Sequence, residues 1–134
     1  MEEKPVVITR VSEREIWVGE DRFYLGDDNI IYVKDKMVND ENIAHLEMEA
    51  LYELANLIEG KANIFVDINE AGKPSSGARR IFQNEIEKDK YGKVAIFGMH
   101  PIARVMASFV ISATNKEDFR FFKTKEDTLI WLKK

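Results

Sequence analysis

From residue 6 to residue 34, apolar and polar positions alternate in short bursts. The segments VVITRV, EIWV, RFYL and NIIYVK are rich in β-branched and aromatic residues, which suit a pleated, half-buried surface. Gly26-Asp27-Asp28-Asn29 is a turn cluster between the last two segments, so a hairpin is predicted there, with no more than three strands ahead of the turn. From about Asp40 the period becomes helical. Ile43, Leu46, Ala50, Leu51, Leu54, Leu57 and Ile58 share one face, and Glu47, Glu49 and Glu53 lie off it. Asn39 or Asp40 can cap this helix, and Gly60 stands where a left-handed stop residue belongs.

The rest of the chain repeats one unit. An apolar run at Asn63 to Ile68 precedes a helix from about Ser76 to Lys90. A second run at Val94 to Met99 precedes a helix from Pro101 to Thr114. A strand at Phe119 to Lys123 precedes a terminal helix at Glu126 to Lys133, with Thr124 to Asp127 as an acidic variant of the capping box. Runs buried on both faces suit parallel strands, and each connection is long enough to hold a helix. The pattern predicts one α/β domain over residues 1–134. It is a mixed sheet with an N-terminal hairpin or meander followed by βαβαβα, helices packed on the sheet.

Composition narrows the function. With 45% hydrophobic and 33% charged residues in 134, the chain reads as a globular domain with room for one core. Its longest apolar run, near Ile102 to Ala113, is broken by Arg104 and Ser108 and is too short to span a bilayer. The start MEEKPVV lacks the features of a secretory signal, so a cytoplasmic location is expected. The absence of cysteine removes disulfides, thiolate metal sites and cysteine nucleophiles. A net charge of −4, with Arg79-Arg80 as the sole adjacent arginine pair, argues against a nucleic-acid partner. Phosphate-loop and dinucleotide glycine patterns are absent, and no cofactor is expected. His45, between Glu41 and Glu49 on one helix, reads as a salt-bridged surface residue, and no second histidine is spaced to share a metal.

In sheets of this kind ligands collect beyond the carboxyl ends of the parallel strands. Those ends carry Asp67, Asn69 and Glu70, then Ser75 and Ser76, then Met99 and His100, and finally Thr124. Within VDINEAGKPSSGARRIF, one serine is the expected N-cap of the following helix. A phosphoserine there would gain from the helix dipole and free amides, and Arg79 and Arg80 are near enough to add contacts. Asp67, His100 and a serine also make a Ser/His/Asp list by composition, but no Gly-x-Ser-x-Gly elbow accompanies it, and no enzyme is expected. On the Pro101 helix, Ile102, Val105, Met106, Phe109, Val110 and Ala113 make the predicted core face. Ala103, Arg104, Ala107, Ser108 and Ile111 make a low-relief outer side suited to contact with another protein.

The order of elements, with Phe65-Val66-Asp67-Ile68 ending a strand and Pro74-Ser75-Ser76-Gly77 opening a helix, resembles the STAS domain of bacterial anti-sigma-factor antagonists. Pro101-Ile102-Ala103-Arg104-Val105 and the closing Trp131-Leu132 are similar to stand-alone STAS-like proteins. The resemblance implies a regulatory, protein-binding module with Ser75 as a phosphorylated switch and Ser76 beside it, supported by Asp67, Gly77 and Arg79. Pro74 stands where the family has an aspartate that helps the partner kinase. It also implies an anti-sigma-factor-like or serine-kinase-like partner, with a homodimer as a further expectation. The contact surface would include His100, Arg104, Ser108 and Ile111. The alternative is a small-molecule or lipid carrier, since STAS-like folds resemble the CRAL-TRIO architecture. A large apolar cavity between the Pro101 helix and the sheet would favour the carrier, and a filled core with Ile111 exposed would favour the partner module.

Overall fold

The computed structural model describes residues 5–134. Four strands come first: β1 (Ile8–Ser12), β2 (Glu15–Val18), β3 (Asp21–Leu25) and β4 (Ile30–Lys34). Helix α1 (Glu41–Ala55) then leads to β5 (Ala62–Asp67), α2 (Ser76–Ile86), β6 (Tyr91–Phe97), α3 (Pro101–Ser112), β7 (Phe119–Phe122) and α4 (Lys125–Leu132). The strands form one seven-stranded sheet in strictly sequential order. β1 to β4 pair antiparallel as a meander, and β4 to β7 pair parallel. The predicted α/β class, the turn after the third strand and the three β–α repeats are all present. Asn29 adopts a left-handed φ of 62° in that turn, a conformation that asparagine tolerates well.

Register sorts the two faces of the sheet. One row of paired residues runs Ile16, Phe23, Val33, Val66, Ile96, Phe121 across six strands. It lies in the larger core with Leu51 and Leu54 of α1, Ile86 of α2, and Ala107 and Val110 of α3. The neighbouring row, with Tyr32 and Phe65, points to the opposite face. There Phe65, Phe97, Trp131 and Leu132 form a second core under α4. Three helices thus cover one face and α4 covers the other.

Caps follow the sequence. Asp40 accepts from Ile43 N at 2.9 Å, Ser75 Oγ accepts from Ala78 N at 3.0 Å, and Thr124 Oγ1 accepts from Asp127 N at 3.1 Å. α1 ends at Ala55, a turn before the expected stop, and the chain reaches Gly60 (φ 85°) through non-helical turns. α2 and α3 likewise end earlier than their apolar spacing predicts.

The orientation of α3 corrects the sequence reading. Ala103, Ala107 and Val110 are buried, whereas Ile102 (72% exposed), Val105 (56%) and Phe109 (61%) are not. Arg104 and Ser108 do lie outside, as expected, but Ile111 is half-buried against the core. The cause is close approach. A side chain on Gly98, at the end of β6, would collide with Ala103, so only small residues fit between the helix and the strand ends. With Ala103 turned to the strand ends, Ile102, Val105 and Phe109 are left on the exposed side of the helix.

This orientation predicts an asymmetric response to mutation. Ala107→Asp should lower unfolding stability by roughly 2 kcal/mol or more through an unpaired buried charge. Phe109→Ser should stay within about 0.5 kcal/mol of wild type. Urea denaturation of both variants checks this, and the reverse order would restore the face read from the sequence.

Candidate functional site

The carboxyl ends of the parallel strands are stitched together by the loops that leave them. Asp35 N donates to Asp67 O at 3.0 Å, Ile68 N to Phe97 O at 3.0 Å, and Gly98 N to Phe122 O at 3.1 Å. Asp67 Oδ1 accepts from Asn69 N and Nδ2 at 2.9 and 2.8 Å, which closes a tight turn after β5. Asn69 bridges to the next loop: its Oδ1 accepts from Met99 N at 2.7 Å, and its carbonyl lies 2.9 Å from His100 Nε2. Asp67, Asn69, Met99 and His100 therefore do share one edge, and His100 occupies the N-cap position of α3 without a side-chain capping bond.

The serines expected to form a switch also sit on this edge, in structural positions. Ser75 is the N-cap of α2, and its own N–H donates to Asn39 O at 3.0 Å. Both Ser75 and Ser76 are exposed. Gly77 packs under α1, where any side chain would run into the Glu41 carboxylate. Arg79 faces the hollow between the helices and the sheet. It is half-buried, and its Nε has no hydrogen-bond partner. No hydrogen bond links Ser75, His100 and Asp67 to one another: each is held by a backbone group or by Asn69. A charge-relay arrangement is not assembled. His45 is exposed on α1 and makes no ion pair within 4 Å among the described residues.

Below this edge, between the sheet and α1, α2 and α3, lies a cleft of about 350 Å³. Phe23, Val33, Val66 and Ile96, members of the cross-sheet row described above, line it. Leu51, Phe82 and Val110 wall it from the three helices, and Ile102, Val105 and Phe109 stand at its α3 side. The cleft has a polar end formed by Asp35, Asn39, Glu47 and Arg79. Such an apolar hollow with a few polar groups at one end has the general form of a small-molecule site.

Three carboxylates, Asp21, Asp35 and Glu47, converge at that polar end, with one oxygen of each within 4.8 Å of the others. Asp21 is 0% exposed and Glu47 3%. Asp21 Oδ1 accepts from Lys36 N (2.6 Å) and Met37 N (3.1 Å), and Glu47 Oε1 accepts from Asn39 Nδ2 (2.6 Å). The remaining oxygens, Asp21 Oδ2, Asp35 Oδ1 and Glu47 Oε2, are buried without a partner. Burial and the Asp21 carboxylate raise the Asp35 pKa well above the usual carboxylate range, and burial with the same neighbours raises Glu47 strongly.

Sequence reasoning missed this cluster. The sequence pattern puts Glu47 off the buried face of α1, because a glutamate in a helix is ordinarily solvated. Asp21 sits at the start of an antiparallel strand and is not among the residues that end the parallel strands. Its one legible signal was an aspartate ahead of an alternating apolar strand, at the end of the sheet where the parallel strands finish.

A family model described as "Domain of unknown function (DUF7793)" matches residues 23–134. No curated protein matches the chain. Among solved structures, an uncharacterized protein of the DUF3478 family with a SpoIIAA-like fold, from Shewanella loihica PV-4, is similar at a TM-score of 0.63. The likeness covers 98% of each chain at 18% identity and shows the fold, which is STAS-like. No helix among the described residues is long and apolar enough to cross a membrane.

The raised carboxyls carry a testable sign. In the folded chain Asp35 and Glu47 keep protons that the unfolded chain releases from about pH 4 upward, so stability is fullest below that pH and falls as pH rises toward their folded pKa values. In chelator, Glu47→Gln should flatten this fall and gain about 1–3 kcal/mol over wild type at pH 8. Urea denaturation at pH 5 and pH 8 measures it. Parallel pH profiles for the two proteins would show that Glu47 keeps no proton.

Proposed function

We propose that this chain, which belongs to the DUF7793 family, is a STAS-like binding module whose cleft holds a small amphipathic molecule. The observation that carries the reading is the 350 Å³ apolar cleft between α3 and the sheet, closed at one end by polar groups. Ile111, which a partner surface would leave exposed, packs against the core instead. Both features favour the carrier over the filled, partner-only module. The apolar body of the ligand lies on Phe23, Val33, Val66 and Ile96, and its polar head meets Asn39 and Arg79, whose side chains retain unpartnered atoms. Neither this reading nor the next requires bond-making chemistry from the protein.

A second reading rests on a different observation. Met99, Ile102, Val105 and Phe109 leave an apolar stripe exposed along α3. A regulatory protein partner of the anti-sigma-factor or serine-kinase class would cover that stripe, and phosphate on Ser75 would add about −1.5 to −2 charges. His100, Arg104 and Ser108, all exposed, would border the contact. A cytoplasmic setting suits both readings.

Native mass spectrometry of the purified chain, followed by titration with an apolar fluorescent anion such as anilinonaphthalene sulfonate, tests the cleft. One bound molecule per chain is expected. Ala44→Phe, which fills the cleft from α1, should weaken probe binding by about tenfold or more while circular dichroism stays unchanged. No bound mass and no saturable probe binding would end the carrier reading. The switch has its own measurement. Ser75→Ala should cost about 1 kcal/mol through the lost cap, and Ser75→Asp should weaken a co-purified partner where Ser75→Ala does not. Equal affinities would leave Ser75 as a cap alone.

A further inference from the structure

The cluster at the polar end of the cleft has more organisation than burial of acids alone produces. Its members come from three separate elements. Asp21 opens β3, Asp35 and Asn39 lie in the loop between β4 and α1, and Glu47 sits in the second turn of α1. Asp21 and Glu47 each spend one oxygen on protein donors, a pair of backbone amides for Asp21 and the Asn39 amide for Glu47. The opposite oxygen of each, like Asp35 Oδ1, is buried without a hydrogen-bond partner, and each of the three carboxylates brings one oxygen within 4.8 Å of the others. Asn39 Oδ1 is a further buried acceptor with no donor. Carboxylates fixed through one oxygen and left unpartnered at the other are held as ion ligands are held.

Charge decides the kind of ion. The three acids carry up to three negative charges, and no lysine, arginine or histidine among the described residues forms an ion pair with them. A single ammonium group would leave most of that charge uncompensated in a buried site, and a divalent ion would leave least. All the free atoms are oxygens, which suit hard cations over zinc or copper.

We infer that Asp21, Asp35, Glu47 and Asn39 form a binding site for one hard divalent cation of the calcium, magnesium or manganese class. The ion neutralises the acids, locks the β4–α1 loop to the start of β3 and to α1, and forms a charged end to the cleft. The site goes beyond the cleft reading and does not depend on it: an ion can bind while the cleft holds no organic ligand.

The test uses the full chain stripped with EDTA and dialysed at neutral pH. Calcium, magnesium and manganese chlorides are added separately at about 1 mM, a level that shifts stability when it exceeds Kd many-fold. At least one is expected to bind at one ion per chain by native mass spectrometry and to raise Tm by roughly 4 °C or more. Glu47→Gln and Asp35→Asn should stay folded by circular dichroism and lose both the bound ion and the shift. No bound ion and no shift with all three metals would overturn the site. Equal shifts in wild type and both variants would do so too, since they report ions on surface acids. A shift with n-octylammonium chloride and none with the metals would replace the cation site by an amine-binding one. Failure of the fluorescent probe to bind, with the metal response intact, would remove the carrier reading and leave this site standing.

Discussion

Parallel pairing of β4, β5, β6 and β7 is the constraint on which the rest of the molecule depends. Parallel neighbours cannot be joined by a tight turn, so each junction must send the chain back over the sheet. With the strands in sequential order and crossovers of one hand, α1, α2 and α3 all land on the same face. Every loop that leaves a parallel strand then opens on one edge. The backbone bonds from Asp35 to Asp67, Ile68 to Phe97, and Gly98 to Phe122 hold those loops in line. The meander extends the sheet beyond α1, which brings the start of β3 to the same edge and puts Asp21 beside Asp35 and Glu47.

The cleft is a consequence of how three helices share one face. α1 and α2 pack against each other, with Gly77 giving room for Glu41. α3 is drawn instead to the β7 side, where Ala103 and Ala107 let it settle close to the strand ends. The space between is floored by the row Phe23, Val33, Val66, Ile96 and bordered by apolar side chains on the exposed side of α3. A protein selected for stability alone would fill such a space and would replace Glu47 by an apolar residue, because unpaired buried acceptors cost about 1–3 kcal/mol each. Retaining both the hollow and the acids at its end is the kind of local compromise found at binding sites.

The serine pair shows how one residue can serve the fold whether or not it serves regulation. Ser75 caps α2, and its backbone ties the helix start to Asn39, a member of the acidic end of the cleft. A charge placed on Ser75 would therefore act next to the loop that carries Asp35 and Asn39. The fold makes the candidate switch and the cleft neighbours, through a single backbone hydrogen bond.

The linear pattern was sufficient for everything that depends on near neighbours in the chain. The period change at Asp40, the turn at Gly26 to Asn29, a cap at Asn39 or Asp40, a cap at one of Ser75 and Ser76, the cap at Thr124, and the order of strands and helices were all legible. Local propensity and hydrogen bonds within a few residues set these features. Which side of α3 is buried was not legible, because hydrophobicity favours Ile102, Val105 and Phe109 for the core while the contact of Gly98 with Ala103 admits only small residues. Nor was the meeting of Asp21, Asp35 and Glu47, which come from separate elements and carry no shared spacing. The sequence by itself determined the elements and their succession. Only the tertiary structure decided the cleft and the acids at its end, since both arise where distant segments close on one another.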